Sequence, residues 1–133
     1  MPDLVPMPTT TALYAGILGL MSIVIGALAG RVRTQTGIFL GDGGNPEVTA
    51  AMRRHGNFVE NVPMLLVLMA LLELNKVDPT YLHVMGVVVV AARASHAFGM
   101  KADEESGRML RGFGAGGSTL VMLVAAIMAI ASF

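Results

Sequence analysis

The chain has 133 residues, 54% of them hydrophobic and only 14% charged, with a mean hydropathy of +0.68; soluble domains carry about a quarter charged residues, so this chain needs lipid around it. A membrane crossing takes roughly 20 apolar residues, which leaves room for about four crossings in a single domain and none for a large loop domain. Nine basic residues balance nine acidic ones and there is no cysteine, so no net field favours nucleic acid, and no disulfide, thiolate or Cys-bound metal of the chain's own can enter its chemistry.

Residues 4–30 carry no charge, and 10–30 read as a first spanning helix that ends where Arg31 and Arg33 meet the membrane surface. The start Met1-Pro2-Asp3 lacks the basic n-region of a signal peptide and the apolar run exceeds an ordinary h-region, so this helix is expected to be retained. Residues 34–44 are polar and glycine-rich (Gly37, Gly41, Gly43, Gly44), which is loop chemistry. Asn45-Pro46-Glu47 then supplies an N-cap, a proline at the first helical position and an acid in the first turn, predicting a second helix over about 46–75. That length exceeds what a bilayer core needs, and Pro63 is expected to kink it between a polar half and an apolar half. Asp78-Pro79 repeats the cap-then-proline signature for a Val-rich third helix over about 79–98. Asp103, Glu104 and Glu105 suit the positive start of a fourth helix over about 104–131. The expectation is an all-α, integral membrane four-helix bundle forming one domain over residues 1–133.

Charge sets the orientation. Arg31, Arg33, Arg53, Arg54, Arg93, Lys101, Arg108 and Arg111 fall on one side and only Lys76 on the other, so the first side is expected to face the cytoplasm, with the termini and the 75–78 turn opposite. The acidic Asp3 does not contradict this.

Arg53, Asn57 and Glu60 stand at i, i+4 and i+7, one narrow polar stripe on the second helix. Arg93 and His96 form an i, i+3 patch on the third, and Arg108 and Arg111 repeat that spacing on the fourth. Ionisable groups at membrane depth must pair or line a wet cavity. Two readings stay open: the stripes converge on an anionic polar ligand, or Arg93 clasps the second-helix stripe and binds nothing. Arg31, Arg33 and Arg54 read as surface anchors, His55 as interfacial and His83 as a packed or headgroup-facing residue. The three histidines are too scattered for a metal site. Small residues repeat along the first helix (Ala12, Gly16, Gly19, Gly26, Gly30) and at Gly112 and Gly116, a pattern for close helix contact within a bundle or between subunits.

The segment Arg53-Arg54-His55-Gly56-Asn57-Phe58-Val59-Glu60-Asn61-Val62-Pro63, with Arg93 and His96 following at the position of a second motif, resembles the helix-two signature of the membrane-associated proteins in eicosanoid and glutathione metabolism, the MAPEG family, in its bacterial-type members. The resemblance implies a homotrimer with glutathione as cosubstrate, bound between subunits near the cytoplasmic face. It assigns Arg53, Asn57, Glu60, Arg93 and His96 to binding the peptide, and Arg108, with Arg111 as the alternative, to stabilising its thiolate. A guanidinium beside a thiol favours the ionised, nucleophilic form. Gly56 stands where some members carry a further arginine, and Asn61, Met100 and Gly112 stand where relatives carry tyrosines; Tyr14 and Tyr81 lie toward the opposite side.

The leading expectation is a multi-pass enzyme of the bacterial inner membrane, its site facing the cytoplasm. It would add glutathione or a similar thiol to a hydrophobic electrophile, or use it to reduce a lipid hydroperoxide. A noncatalytic lipid-binding or scaffold protein is the alternative. A small four-helix cation transporter is disfavoured because the first helix has no acid and Glu60 is surrounded by arginines.

Overall fold

The computed structural model describes residues 7–101, 105 and 107–132. Among them are four α-helices: α1 (Thr9–Thr36), α2 (Pro46–Leu74), α3 (Pro79–Gly99) and α4 (Arg108–Ala131). All four are long and apolar enough to cross a membrane, and they run up and down in turn. Glu73 and Asn75 at the end of α2 meet the start of α1 and the end of α4 respectively; Arg54 near the start of α2 meets the end of α3.

Helix ends follow local chemistry. Asn45 accepts from the backbone N–H of Glu47 (2.9 Å) and Val48 (3.3 Å) ahead of Pro46, and Asp78 accepts from Thr80 (2.7 Å) ahead of Pro79, each satisfying donors that the helix start leaves unpaired. The Thr80 hydroxyl and N–H hold the Asp78 carboxyl below the usual carboxylate range. α1 runs on to Thr36 where the sequence placed its end near Gly30. Arg31 and Arg33 therefore lie within the helix, which stops at Gly37 in the left-handed region (φ 69°), a conformation that glycine adopts without steric cost. The Arg33 side chain folds over the following loop and donates to the carbonyls of Ile38 (2.9 Å) and Gly41 (3.0 Å), so it organises the turn. α2 continues through Pro63 without interruption. Of the acidic group expected to open α4, Asp103 and Glu104 lie outside the described residues, as does Asp3. The helix itself begins at Arg108, after Glu105.

The start of α1 has no cap of its own, since Pro8 precedes it. Glu73 does that work from α2: its two carboxylate oxygens accept from the N–H of Thr10 (2.8 Å) and Thr11 (2.7 Å). One side chain thus pins two helices and places a negative charge at the positive end of α1. Beside it, the Tyr14 ring seats against Gly86 of α3, and its hydroxyl bonds the Nδ1 of His83 (3.0 Å) and donates to the His83 carbonyl (3.2 Å). His83 is therefore a packing partner of Tyr14, their rings edge to face at 5.8 Å.

Leu18, Leu65, Met69, Leu72, Leu82, Val89 and Ala125 form the centre of the bundle, while Leu20, Ile23, Phe113 and Ile130 point outward. In lipid such burial gains little by transfer, so close packing decides which helices touch. The closest contact is between α3 and α4, where a Cβ on Gly114 would stand 2.6 Å from His96 Cβ and one on Gly99 2.7 Å from the Arg111 nitrogen. Of the glycines that carried the small-residue pattern, Gly26 faces the His55 ring of α2, while Gly16, Gly19, Gly30, Gly112 and Gly116 face open space within the chain.

A Cβ at Gly86 would overlap the Tyr14 ring, so Gly86→Ala should destabilise the protein in detergent by about 1–3 kcal/mol. Gly16→Ala should cost nothing measurable. In a Tyr14→Ala background the Gly86→Ala penalty should largely disappear; a thermal denaturation series showing the same penalty in both backgrounds contradicts the notch.

Candidate functional site

Among the described residues Arg93 is the most deeply buried charged one, 2% exposed, on the inward face of α3. Its guanidinium donates through NH1 to the Oδ1 of Asn57 on α2 (2.7 Å) and through NH2 to the carbonyl of Gly114 on α4 (2.7 Å). That carbonyl is within reach because Gly114 has no side chain to hold α4 away from α3. Of the second-helix stripe, Arg93 meets Asn57. Glu60 lies exposed on α2, and Arg53 is also exposed. His96, one turn along α3 from Arg93, is buried against Gly114, with Arg93, Arg111 and Arg53 close enough to act on it electrostatically.

The cations that do converge lie at the bundle end carrying the α1–α2 and α3–α4 connections. A cleft of about 450 Å³ is lined by Arg53, Lys101 and Arg111, with Pro46, Thr49 and Met100 among its walls. Three elements supply the charge: α2, the segment after α3, and α4. Thr49 donates its hydroxyl to Asp42 (3.1 Å), and the Gly44 N–H and this hydroxyl hold the Asp42 carboxyl below the usual carboxylate range. Arg111 also donates to the Gly99 carbonyl (3.3 Å), which ties the first turns of α4 to the end of α3.

Of the helix-four arginines, the structure brings Arg111 into the cleft beside Arg53 and leaves Arg108 exposed at the first position of α4, its side chain outside the lining. Asn57 is committed to Arg93, and Glu60 stands outside the cleft. Sequence reasoning counted Lys101 only as a cytoplasmic base and Arg54 only as an anchor. Lys101 lines the cleft, and Arg54 turns inward to donate to the Met100 carbonyl. For Arg54 the available signal was its position 100° around α2 from Arg53, which separates the two side chains without saying which one faces a neighbour.

Arg93→Met removes two charge-assisted hydrogen bonds from a buried position and should cost on the order of 3 kcal/mol of folding free energy. Asn57→Ala, which removes one, should cost less. Because both changes break the same contact, their effects should fall short of additive in a denaturant titration; strict additivity would mean that the clasp does not form.

The chain matches the model of the MAPEG family over residues 11–131. It is also similar to Inner membrane protein YecN from two strains of Escherichia coli, 37% identical in each case over 89 residues that cover 67% of this chain and 68% of the relative. The Arg53 to Pro63 segment, the buried Arg93 and His96, and nearly all of the four apolar helices fall in the matched span, and the chain belongs to the MAPEG family.

Proposed function

We propose that this protein is a membrane-bound glutathione transferase or peroxidase of the bacterial inner membrane, acting on hydrophobic electrophiles or lipid hydroperoxides with glutathione or a similar thiol. The observation that carries the reading is the cleft where Arg53, Lys101 and Arg111 converge from three elements at one end of the bundle. Basic groups lining one cleft attract anions, and the two carboxylates of glutathione suit them. Family membership supports glutathione as the thiol. Near Arg111 a cysteinyl thiol is favoured in its ionised form, and the thiolate is the nucleophile: its sulfur forms a bond to the electrophilic carbon as the leaving group departs with its electron pair. Arg111 takes this role in preference to Arg108 because it alone of the two lines the cleft.

Oligomerisation belongs to the same reading. Glu60 stands about 21 Å along α2 from Leu74 at 1.5 Å per residue, within a hydrocarbon core of about 30 Å, yet it is exposed on the single chain. Lipid does not tolerate a bare carboxylate there, so a neighbouring copy or a bound ligand covers it. A homotrimer of the family's kind does this, with Glu60 and Arg53 facing a shared site. The noncatalytic lipid-binding or scaffold alternative draws on the commitment of Arg93 and Asn57 to each other, which removes two of the residues expected to hold the peptide.

Glutathione titrated into the purified protein in detergent should raise the thiolate absorbance to saturation, on a species of trimeric mass. Arg111→Leu should lower the thiolate fraction by roughly one to two orders of magnitude with the mass unchanged, while Arg108→Leu leaves it near the parent value. A flat titration with intact trimers favours the scaffold, loss confined to Arg108→Leu returns the role to that residue, and a stable ligand-binding monomer removes the shared site.

The lopsided base count supports an orientation with the cleft in the cytoplasm. Thr36→Cys and Lys76→Cys, each the single cysteine of its chain, should then react from opposite sides of the membrane in intact cells. Labelling of both from the same side would overturn the orientation.

A further inference from the structure

A second cavity, about 740 Å³, runs along the outside of the bundle between α1 and α3 and differs in kind from the polar cleft. Leu20, Val24 and Leu28 of α1 and Ala94 and Phe98 of α3 line it, and its polar residues are Arg54 and Lys101. Among the described residues, no carboxylate lines it. Arg54 stands at its end, because the adjoining His55 lies 3.4 Å from where a Cβ on Gly26 would be, near the Leu28 end of the α1 wall. The bond from Arg54 to the Met100 carbonyl fixes the guanidinium there, and its buried Nε has no partner. The α1 wall, from Ile17 to Leu28, is about 16 Å long at 1.5 Å per residue. That is about half of a 30 Å hydrocarbon core, the depth of one leaflet.

We infer that this groove binds an anionic phospholipid of the surrounding bilayer, one acyl chain lying along α1 between Leu20 and Leu28 and the phosphate resting at Arg54 and Lys101. Three features select this occupant. The groove is open to the side, where the neighbouring medium is lipid; it has the length of one leaflet; and among the described residues its charges are two cations at the headgroup end, the arrangement that draws acidic lipids into basic pockets between membrane helices. A zwitterionic lipid would fill the apolar part equally well but would bring its own cation to Arg54 and Lys101. The groove and the polar cleft share Lys101, so lipid binding also positions one of the cleft's three cations, although the inference itself does not depend on the proposed activity.

The chain has no tryptophan, so a single introduced one reports cleanly. Leu20→Trp places it in the groove, and Leu123→Trp places it on the lipid-facing surface of α4 away from the groove. Each is reconstituted into phosphatidylcholine vesicles containing a fixed fraction of acyl-brominated phosphatidylglycerol or acyl-brominated phosphatidylcholine. Quenching at Leu20→Trp should favour the brominated phosphatidylglycerol, with roughly fivefold preference for each cation engaged, while Leu123→Trp should show no headgroup preference. Arg54→Gln or Lys101→Gln in the Leu20→Trp protein should each reduce the preference, and the Leu123→Trp signal in the same backgrounds reports that the fold is intact. Two results would overturn the inference. One is equal quenching by both lipids at Leu20→Trp; the other is protection from both, which means that a second copy of the chain covers the groove.

Discussion

A buried guanidinium at the centre of a membrane bundle must find acceptors or the bundle does not form, and Arg93 finds one on each of two other helices. Asn57 on α2 and the Gly114 carbonyl on α4 are both 2.7 Å away. Each acceptor carries its own requirement. Asn57 must sit on the inner face of α2, which fixes the rotation of that helix and turns Glu60 to the surface. Gly114 must lack a side chain, because any Cβ would strike His96 and the Ala92 carbonyl. The close α3–α4 contact, extended by Gly99 and Gly107, follows from the same need to bring backbone to guanidinium.

The two ends of the bundle are built differently. At the end where α1 begins, three contacts join helices within the chain: Glu73 caps α1, Tyr14 bonds His83, and the Asn75 amide donates to Ser132 (3.0 Å). At the other end Arg53, Lys101 and Arg111 gather around a cleft. The proposed placement of the thiol substrate rests on this gathering of basic residues at one end of the bundle.

Arg93 shows how stability and binding compete for one residue. Its position in the family motif suits a ligand contact, yet two of its donors are taken by the fold. Its nearer role is electrostatic and positional, holding His96 against α4 and α2 against α3 beneath the cleft. Arg53, by contrast, is exposed and lines the cleft directly. The two arginines therefore differ in availability because Arg93 is bonded to two other helices while Arg53 lies exposed at the cleft.

The existence of four spanning helices, the caps at Asn45 and Asp78, and the family could be read from the sequence, because apolar length, Asx-Pro pairs and the Arg53 to Pro63 motif are local patterns. Helix periodicity also identified Arg53, Asn57, Glu60, Arg93 and His96 as polar faces that had to be accommodated. What periodicity could not say was which helix each face meets. The choice of Arg111 over Arg108 for the cleft, the turning of Arg54 toward Met100, and the capping of α1 by Glu73 depend on the relative rotation and depth of helices far apart in the chain. The glycines tell the same story: spacing drew attention to Gly16, Gly19, Gly112 and Gly116, while the contacts fell on Gly86, Gly99, Gly107 and Gly114. A small residue permits close approach, but only the partner's side chain across the gap, Tyr14 or Arg93 here, determines where that approach is made.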